Sequence, residues 1–514
     1  MFNKHGVSLN GLIMSVASAS MLALTFVIGC GGNTQVNTAN NALAEGKELS
    51  EKYCVSCHQY PSPALLDKQT WENGVLPNMA KQLGIQHEMG QYYADKQSVI
   101  NAADWQKIIT FYKASAPEKL SIPEPDAVKD MALFSVKTPP HVNRKGMVAM
   151  TTMIKLNPFD KQIYTADADN NLFKWDKNLN PTLIKQMPSP VTDAFFTQNT
   201  GVFTCIGVLP PNDYLKGDLL QLNLDGRSVK AQSLTDSLPR PVQMAAADFN
   251  KDGLTDYIVC GFGNTKGGLY LVEQQPGNKF IKKIIRALPG AIQITTGDFN
   301  NDGWPDLMCL FAQADEGIWM FLNDHKGGFT SRNILHFPPV YGSNSFQLVD
   351  MNNDGKKDII YTCGDNNDYS TILKPYHGVY IFTNTGNWQF KQTYFYHING
   401  ASKVMAADFD NDGDMDLVAI AFFPDFVDHP TEAVNYFDQT STGKFKVHQL
   451  PVNKLGRWIA MEVADVDGDG DQDIVLGNFS IYGDRLNNQK NYKPDWDMYQ
   501  PIILLQNNAE KQKK

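Results

Sequence analysis

Two patterns in this chain set donor atoms at spacings that do chemistry. The first is Cys54-Val-Ser-Cys57-His58. Two thiols followed at once by an imidazole form the attachment signal of a covalent c-type haem, in which the thiols add to the vinyl groups and the histidine lies under the iron. A thioredoxin-like redox pair does not need His58, and a zinc site needs a second ligand pair that is absent here. The second pattern is the nine-residue run Asp465-Val-Asp467-Gly-Asp469-Gly470-Asp471-Gln-Asp473. Side-chain oxygens at positions one, three, five and nine, with glycine at six, match a loop that wraps a hard cation, and the carbonyl at position seven adds another oxygen.

The aspartate loop occurs four more times. The copies carry Asp248, Asn250, Asp252 and Asp256; Asp298, Asn300, Asp302 and Asp306; Asp350, Asn352, Asp354 and Asp358; and Asp408, Asp410, Asp412 and Asp416. Starts at 248, 298, 350, 408 and 465 give a period of 50 to 58 residues. Five matches at a near-constant step are not chance, and such a period signals a propeller or similar array. All ligands are oxygen, which favours calcium, about five ions per chain, over softer metals. The formal charge of −10 is then offset by bound cations, and no basic stripe invites nucleic acid.

Each period reads as a strand entering the loop, an apolar strand leaving it, an aromatic-rich third strand such as Gly268-Leu-Tyr-Leu-Val272, and a more polar fourth. Four short strands make a propeller blade. The repeats resemble FG-GAP/VCBS blades, the kind found in integrin α-subunit heads. Two upstream blades, near 147–186 and 191–235, lack complete loops, so the count is seven. The last blade has no fourth strand of its own after Pro501-Ile-Ile-Leu-Leu505, and Leu133-Phe-Ser-Val-Lys137 fits as the strand that clasps the ring.

Upstream, a helix is expected from Ala42 into Cys54, and Ala103-Asp-Trp105 to Tyr112 carries apolar residues at helical spacing. With Leu76-Pro77-Asn78-Met79 between them, residues 43–118 resemble a small class I cytochrome c. The resemblance implies His58 and Met79 as the two axial iron ligands, with His87 and Met89 as rivals for the second position. Such ligation suits electron transfer. The expected fold is a small all-α cytochrome c domain followed by an all-β seven-bladed propeller with calcium loops.

The N-terminus has Lys4, an apolar run to Ile28, and Gly29-Cys30. This reads as an export signal. It resembles a bacterial lipoprotein signal, implying lipidation of Cys30 and anchorage in the cell envelope. The expected boundaries are a signal peptide (1–29), a flexible tether (30–42), the haem domain (43–118), a linker (119–130), the propeller (131–507) and a polar tail (508–514). Cys205, Cys260, Cys309 and Cys363 sit in apolar surroundings and read as buried free thiols.

Opposite the metal loops, the connections between second and third strands are long in the last three blades: 364–377, 423–435 and 478–500. Long loops on a rigid scaffold carry binding. Lys403, Asp425, His429, Arg457, Arg485 and Trp496 are the candidate contacts there, with Trp458 beside them. No dinucleotide turn, serine elbow or His-Glu-x-x-His is present, so no catalytic residue is assigned. Three readings stand: an electron carrier whose propeller docks a redox partner protein or membrane complex, an oxidoreductase whose propeller binds a small molecule and feeds the haem, and a surface adhesin or glycan binder.

Overall fold

The computed structural model describes residues 32–140, 147–225, 230–313, 315–366, 370–481 and 492–509. Strands of four to nine residues cannot bury both faces alone, so they stack as seven antiparallel sheets. Blade 1 runs from Thr151–Leu156 to Pro181–Gln186, and blade 2 from Val191–Phe196 to Ala231–Pro239. The loop-bearing blades start with Pro241–Ala247 (blade 3), Ala291–Gly297 (blade 4), Ser343–Val349 (blade 5), Ala401–Ala407 (blade 6) and Trp458–Ala464 (blade 7). Every second strand from blade 3 onward, such as Asp306–Phe311, is buried along its whole length. Its two faces pack against the neighbouring blades.

Polar side chains of the innermost strands staple each blade to the next. Thr152 Oγ1 donates to Val191 O, Asp193 accepts from Met244 N, and Gln243 accepts from Ile294 N. Gln293 bonds both Phe346 N and Phe346 O; Gln347 accepts from Ala406 N, and Lys403 Nζ donates to Met461 O. Glu462 closes the ring by accepting from Leu156 N. Burial lowers the pKa of Lys403.

Phe134–Lys137 pairs antiparallel with Ile502–Asn507 and supplies the missing fourth strand of blade 7. Two features depart from the sequence reading. Val128–Lys129, inside the expected linker, pairs parallel with Lys444–Gln449 as a fifth strand of blade 6. Asn508 at the start of the expected tail bonds Leu133 O, and Ala509 is buried.

In the small domain the first helix spans Gly32–Tyr53, starting ten residues before the expected position and taking in most of the segment read as a tether. No proline interrupts that stretch. It crosses the helix Ala102–Ser115 at Gly46, where any Cβ would run into Lys107 O and Phe111 Cβ. Asn101 caps the second helix through Asp104 N at 2.8 Å. Trp71, Trp105, Ile108 and Tyr112 fill the core. The domain is not all-α. Ile85–Glu88 and Gln91–Ala94 form a hairpin, because Met89 (φ 49°) and Gly90 (φ 78°) are both left-handed, as its two-residue turn requires. Leu76–Gln82, expected as a methionine loop, is a helix that tolerates Pro77 in its first turn.

The clasp depends on Phe134, which is 4% exposed and packs edge-on against Phe409 and Tyr436 at 5.7 and 5.4 Å. Phe134→Ala should destabilise the propeller by about 3–5 kcal/mol. Denaturant unfolding of the full chain measures this, and an unchanged midpoint would mean the clasp strand contributes nothing to ring closure.

Candidate functional site

The five aspartate loops lie between first and second strands, on one face of the ring. Their geometry repeats closely. The first aspartate accepts from two backbone N–H groups within its own loop: Asp248 takes Asp252 N and Gly253 N at 3.1 and 2.8 Å. Asp298, Asp350 and Asp408 do the same with their own fifth and sixth residues. The glycine at position six is left-handed in every copy, as expected. Position four is also left-handed, at Lys251, Asn301, Asn353, Asn411 and Gly468. The sequence reading missed this, although asparagine or glycine in four of five copies signals it.

The ninth aspartate does more than was expected of a ligand. Asp256, Asp306, Asp358, Asp416 and Asp473 are almost fully buried, and each joins two elements. One oxygen accepts from the second residue of its loop, Phe249, Phe299, Met351, Phe409 or Val466. The other accepts from the end of the third strand, at Gln274, Asn323, Asn384, Gln439 or Asn507, always at 2.8 Å. Burial pushes these carboxyls up, to about 6 in Asp256 and Asp473 and about 7 in Asp416. In blades 6 and 7 three carboxylates converge within 4.8 Å: Asp408, Asp410 and Asp412, then Asp465, Asp467 and Asp473. Blades 3 to 5 carry an asparagine oxygen at the third position instead.

The opposite face receives the small domain. Tyr376 Oη donates to Leu65 O at 3.1 Å, and Val340 and Ile372 pack against the small domain's core. The charges of Asp315 and His336 of blade 4, on this face, reach His58, and burial lowers its pKa. Asp315 in turn bonds His336 Nε2 at 2.7 Å and Arg286 at 2.9 Å. His58 Nδ1 pairs with Gln59 O at 2.9 Å. Cys54 and Cys57 are free thiols, and burial raises Cys54 to about 11. Met79 is partly buried against the domain's core, while His87 and Met89 ride the exposed hairpin, Met89 at its tip.

The proposed top-face contacts divide. Lys403 points into the ring's channel rather than to its mouth. Arg457 is buried, donates to Phe422 O and stacks on the Phe422 ring at 3.6 Å. Trp496 stacks with Phe426 and Tyr492 at 5.5 and 6.2 Å, and with Arg457 and Trp458 these rings line a small cleft. Asp425 caps its own loop through Val427 N and Asp428 N, and His429 pairs with Glu124. Cys30, residues 1–29 read as a signal peptide, and Arg485 lie outside the described residues.

Residues 248–309, 298–361 and 364–419 each match the FG-GAP-like repeat, covering the loops of blades 3 to 6. The chain carries FG-GAP-like repeats. They are built into a seven-bladed propeller, and the seventh blade keeps the loop pattern outside the matched segments. No curated protein matches the chain. Among solved structures, an ancestral GH74 enzyme aligns over 73% of this chain and 51% of its own at 10% identity and TM-score 0.45. The chain thus spans about half the length of that enzyme. A chain from an S. cerevisiae assembly of Dbp5 with Nup159, Gle1, IP6 and ADP aligns over 75% of this chain and 97% of its own, at 10% identity and TM-score 0.41. The WD40 β-propeller domain of Doa1 aligns over 72% and 96%, at 11% and 0.42.

On the top face of the FG-GAP-like propeller, His377 is fully buried and neither ring nitrogen has a hydrogen-bond partner among the described residues. Burial holds it, and His397 beside it, below the ordinary histidine range. A folded-state pKa below the unfolded value of about 6.5 gives stability that is present above that pH and lost as pH falls. The share of the melting temperature that His377 and His397 contribute should therefore be lost between about pH 7 and pH 5, read against the opposite trend of the ninth aspartates. His377→Phe should keep stability at pH 7 and flatten that acid limb. An identical pH profile in the variant would remove His377 from the account.

Proposed function

We propose that the chain is an exported, envelope-anchored c-type cytochrome that transfers electrons, with a calcium-braced propeller as its docking scaffold. The observation that carries this reading is the Cys54-Val-Ser-Cys57-His58 run at the end of a helix that is closely packed through Gly46. The residues present fit a haem. Both thiols are free, His58 keeps Nδ1 on a carbonyl and leaves Nε2 without a hydrogen-bond partner among the described residues, and the buried Trp105 Nε1 is an unpartnered donor in the core. Cys54 and Cys57 would hold the group covalently and His58 would bind its iron, with Met79 as the sixth ligand. Haem bound there supplies a reversible one-electron change. The protein's part is to fix His58 through Gln59 O and to cover it with the propeller's top face. Cys30 would carry the lipid that ties the chain to a membrane.

Calcium in the five loops is supported by the electrostatics of the ninth aspartate. A folded-state pKa raised above the unfolded value favours the fold at low pH and opposes it as pH rises through about 6 to 7, the values at Asp256, Asp473 and Asp416. Folding at neutral pH is helped by a compensating positive charge beside these groups, which a bound cation supplies. A second reading, an oxidoreductase whose propeller receives a small molecule, is favoured by the aromatic cleft beside Arg457.

A pyridine haemochrome assay on exported, denatured protein should show one retained haem. Cys54→Ser or His58→Ala should abolish the native spectrum, and Met79→Ala should remove the near-infrared sulfur-to-iron band. Haem extracted by acid acetone from intact protein would defeat the assignment.

Chelation should lower the propeller's melting temperature while sparing the haem spectrum, since every loop lies outside the small domain. Calcium should restore stability better than magnesium, with about five ions bound. Calorimetry that detects no calcium binding would refute the brace.

A further inference from the structure

Beneath the seat of the small domain, aromatic rings continue into the propeller without a break. Tyr376, whose hydroxyl reaches Leu65 O, stacks on Tyr341 at 4.7 Å and 13°. Tyr341 lies parallel to Phe337 at 6.2 Å, and Phe337 stacks on Tyr361 at 4.2 Å and 14°. Tyr361 is 0% exposed, at the interface of blades 4 and 5. At the end of its strand His336 bonds Asp315, while the next residue, Phe337, turns inward to the stack.

The inner end of the stack has a proton path. Tyr361 Oη lies 2.6 Å from Ser343 Oγ, and Ser343 Oγ donates to Glu316 Oε2 at 2.8 Å. A serine hydroxyl has one proton. Because Ser343 gives its proton to Glu316, Tyr361 is the donor in the other bond. Glu316 Oε2 also accepts from Ser343 N at 3.1 Å, as suits a carboxylate, and it is 2% exposed. A phenol in an apolar core that only needed packing would be served as well by phenylalanine. This one is wired to a buried base.

We propose that Tyr376, Tyr341, Phe337 and Tyr361 form a one-electron relay from the small domain into the propeller, with Tyr361 as the holding site and Ser343–Glu316 as its proton acceptor. Tyr361 loses one electron through the stack to the oxidant, which is reduced by one electron. The phenolic O–H bond breaks and its proton passes to Ser343 Oγ, while the proton of Ser343 passes to Glu316. A neutral tyrosyl radical and a carboxylic acid remain, shielded from water. The relay rests on the haem reading only for its natural oxidant, a hydroperoxide that would act at the haem once Met79 had left the iron.

The test uses the full chain in two arms, read by electron paramagnetic resonance of frozen samples. In one, haem-loaded protein is mixed with hydrogen peroxide. In the other, haem-free protein is illuminated with tris(bipyridine)ruthenium and persulfate. A long-lived tyrosyl signal is expected in both, lost in Tyr361→Phe and short-lived in Glu316→Gln. Because Tyr361→Phe keeps the ring, its melting temperature should change little. If it does not fold, Ser343→Ala decides, and loss of the long-lived signal supports the relay. A signal with the photo-oxidant but none with peroxide supports the relay and removes the hydroperoxide as its oxidant. An unchanged signal in Tyr361→Phe or Ser343→Ala, or no long-lived signal with the photo-oxidant, overturns the relay.

Discussion

The buried carboxylate at the ninth loop position is the constraint on which the repeat depends. Asp256, Asp306, Asp358, Asp416 and Asp473 each tie the start of the metal loop to the end of the third strand, so a single side chain fixes three of a blade's four strands. A carboxylate bears this role because it accepts two strong bonds at once, and charge-assisted bonds of this kind are the stronger class. Its cost is desolvation, visible in the upward pKa shift at every one of the five. The side chains at positions one, three and five sit nearer solvent and accept backbone N–H groups within the turn, as Asp248, Asn250 and Asp252 do. Alanine at position nine would thus remove two bonds that join strands of the blade, whereas alanine at position five would remove one bond local to the turn, such as Leu254 N to Asp252.

Much of this was legible in the sequence because it is local and repeated. A nine-residue pattern at a 50- to 58-residue step announces both the loop and the ring, and the orphaned last blade announces its clasp, Phe134–Lys137. What escaped is what short-range patterns do not encode. Val128–Lys129 joins blade 6 over some 320 residues of intervening chain, and two residues carry no periodicity. The hairpin around Met89 was hidden because its turn uses methionine where asparagine or aspartate usually signals a left-handed residue. Lys403 and Arg457 were read as surface contacts from their loop-adjacent positions. Their cationic heads instead bond backbone carbonyls, which the order of residues does not disclose.

The two sets of chemistry-bearing residues are kept apart by the ring itself. The aspartate loops occupy one face, and His58, with Asp315 and His336 within reach of its charge, lies at the other. The small domain does not hang from a linker over that face. Tyr376, Val340 and Ile372 bind its underside, and the linker itself is tied down through Asp130 to His448 and through Asp126 O to Tyr396. Docking of this kind fixes the orientation of His58 relative to the propeller, which a free tether could not do.

The second strand is the mechanical link between the faces. In blade 5 it runs from Asp358, locked in the aspartate loop, to Cys363, whose Sγ lies 3.2 Å from Tyr376 O under the small domain. Six extended residues cover roughly 20 Å. Every one of them is buried, so the strand can neither slide nor tilt without disturbing packing against blades 4 and 6. Loosening the loop at one end would free the strand's first hydrogen bonds and, through Cys363, the carbonyl that also accepts from Tyr380 Oη. The rigidity that positions Tyr376 against Leu65 is therefore anchored on the far face, at the buried carboxylate of Asp358, whose pKa desolvation raises.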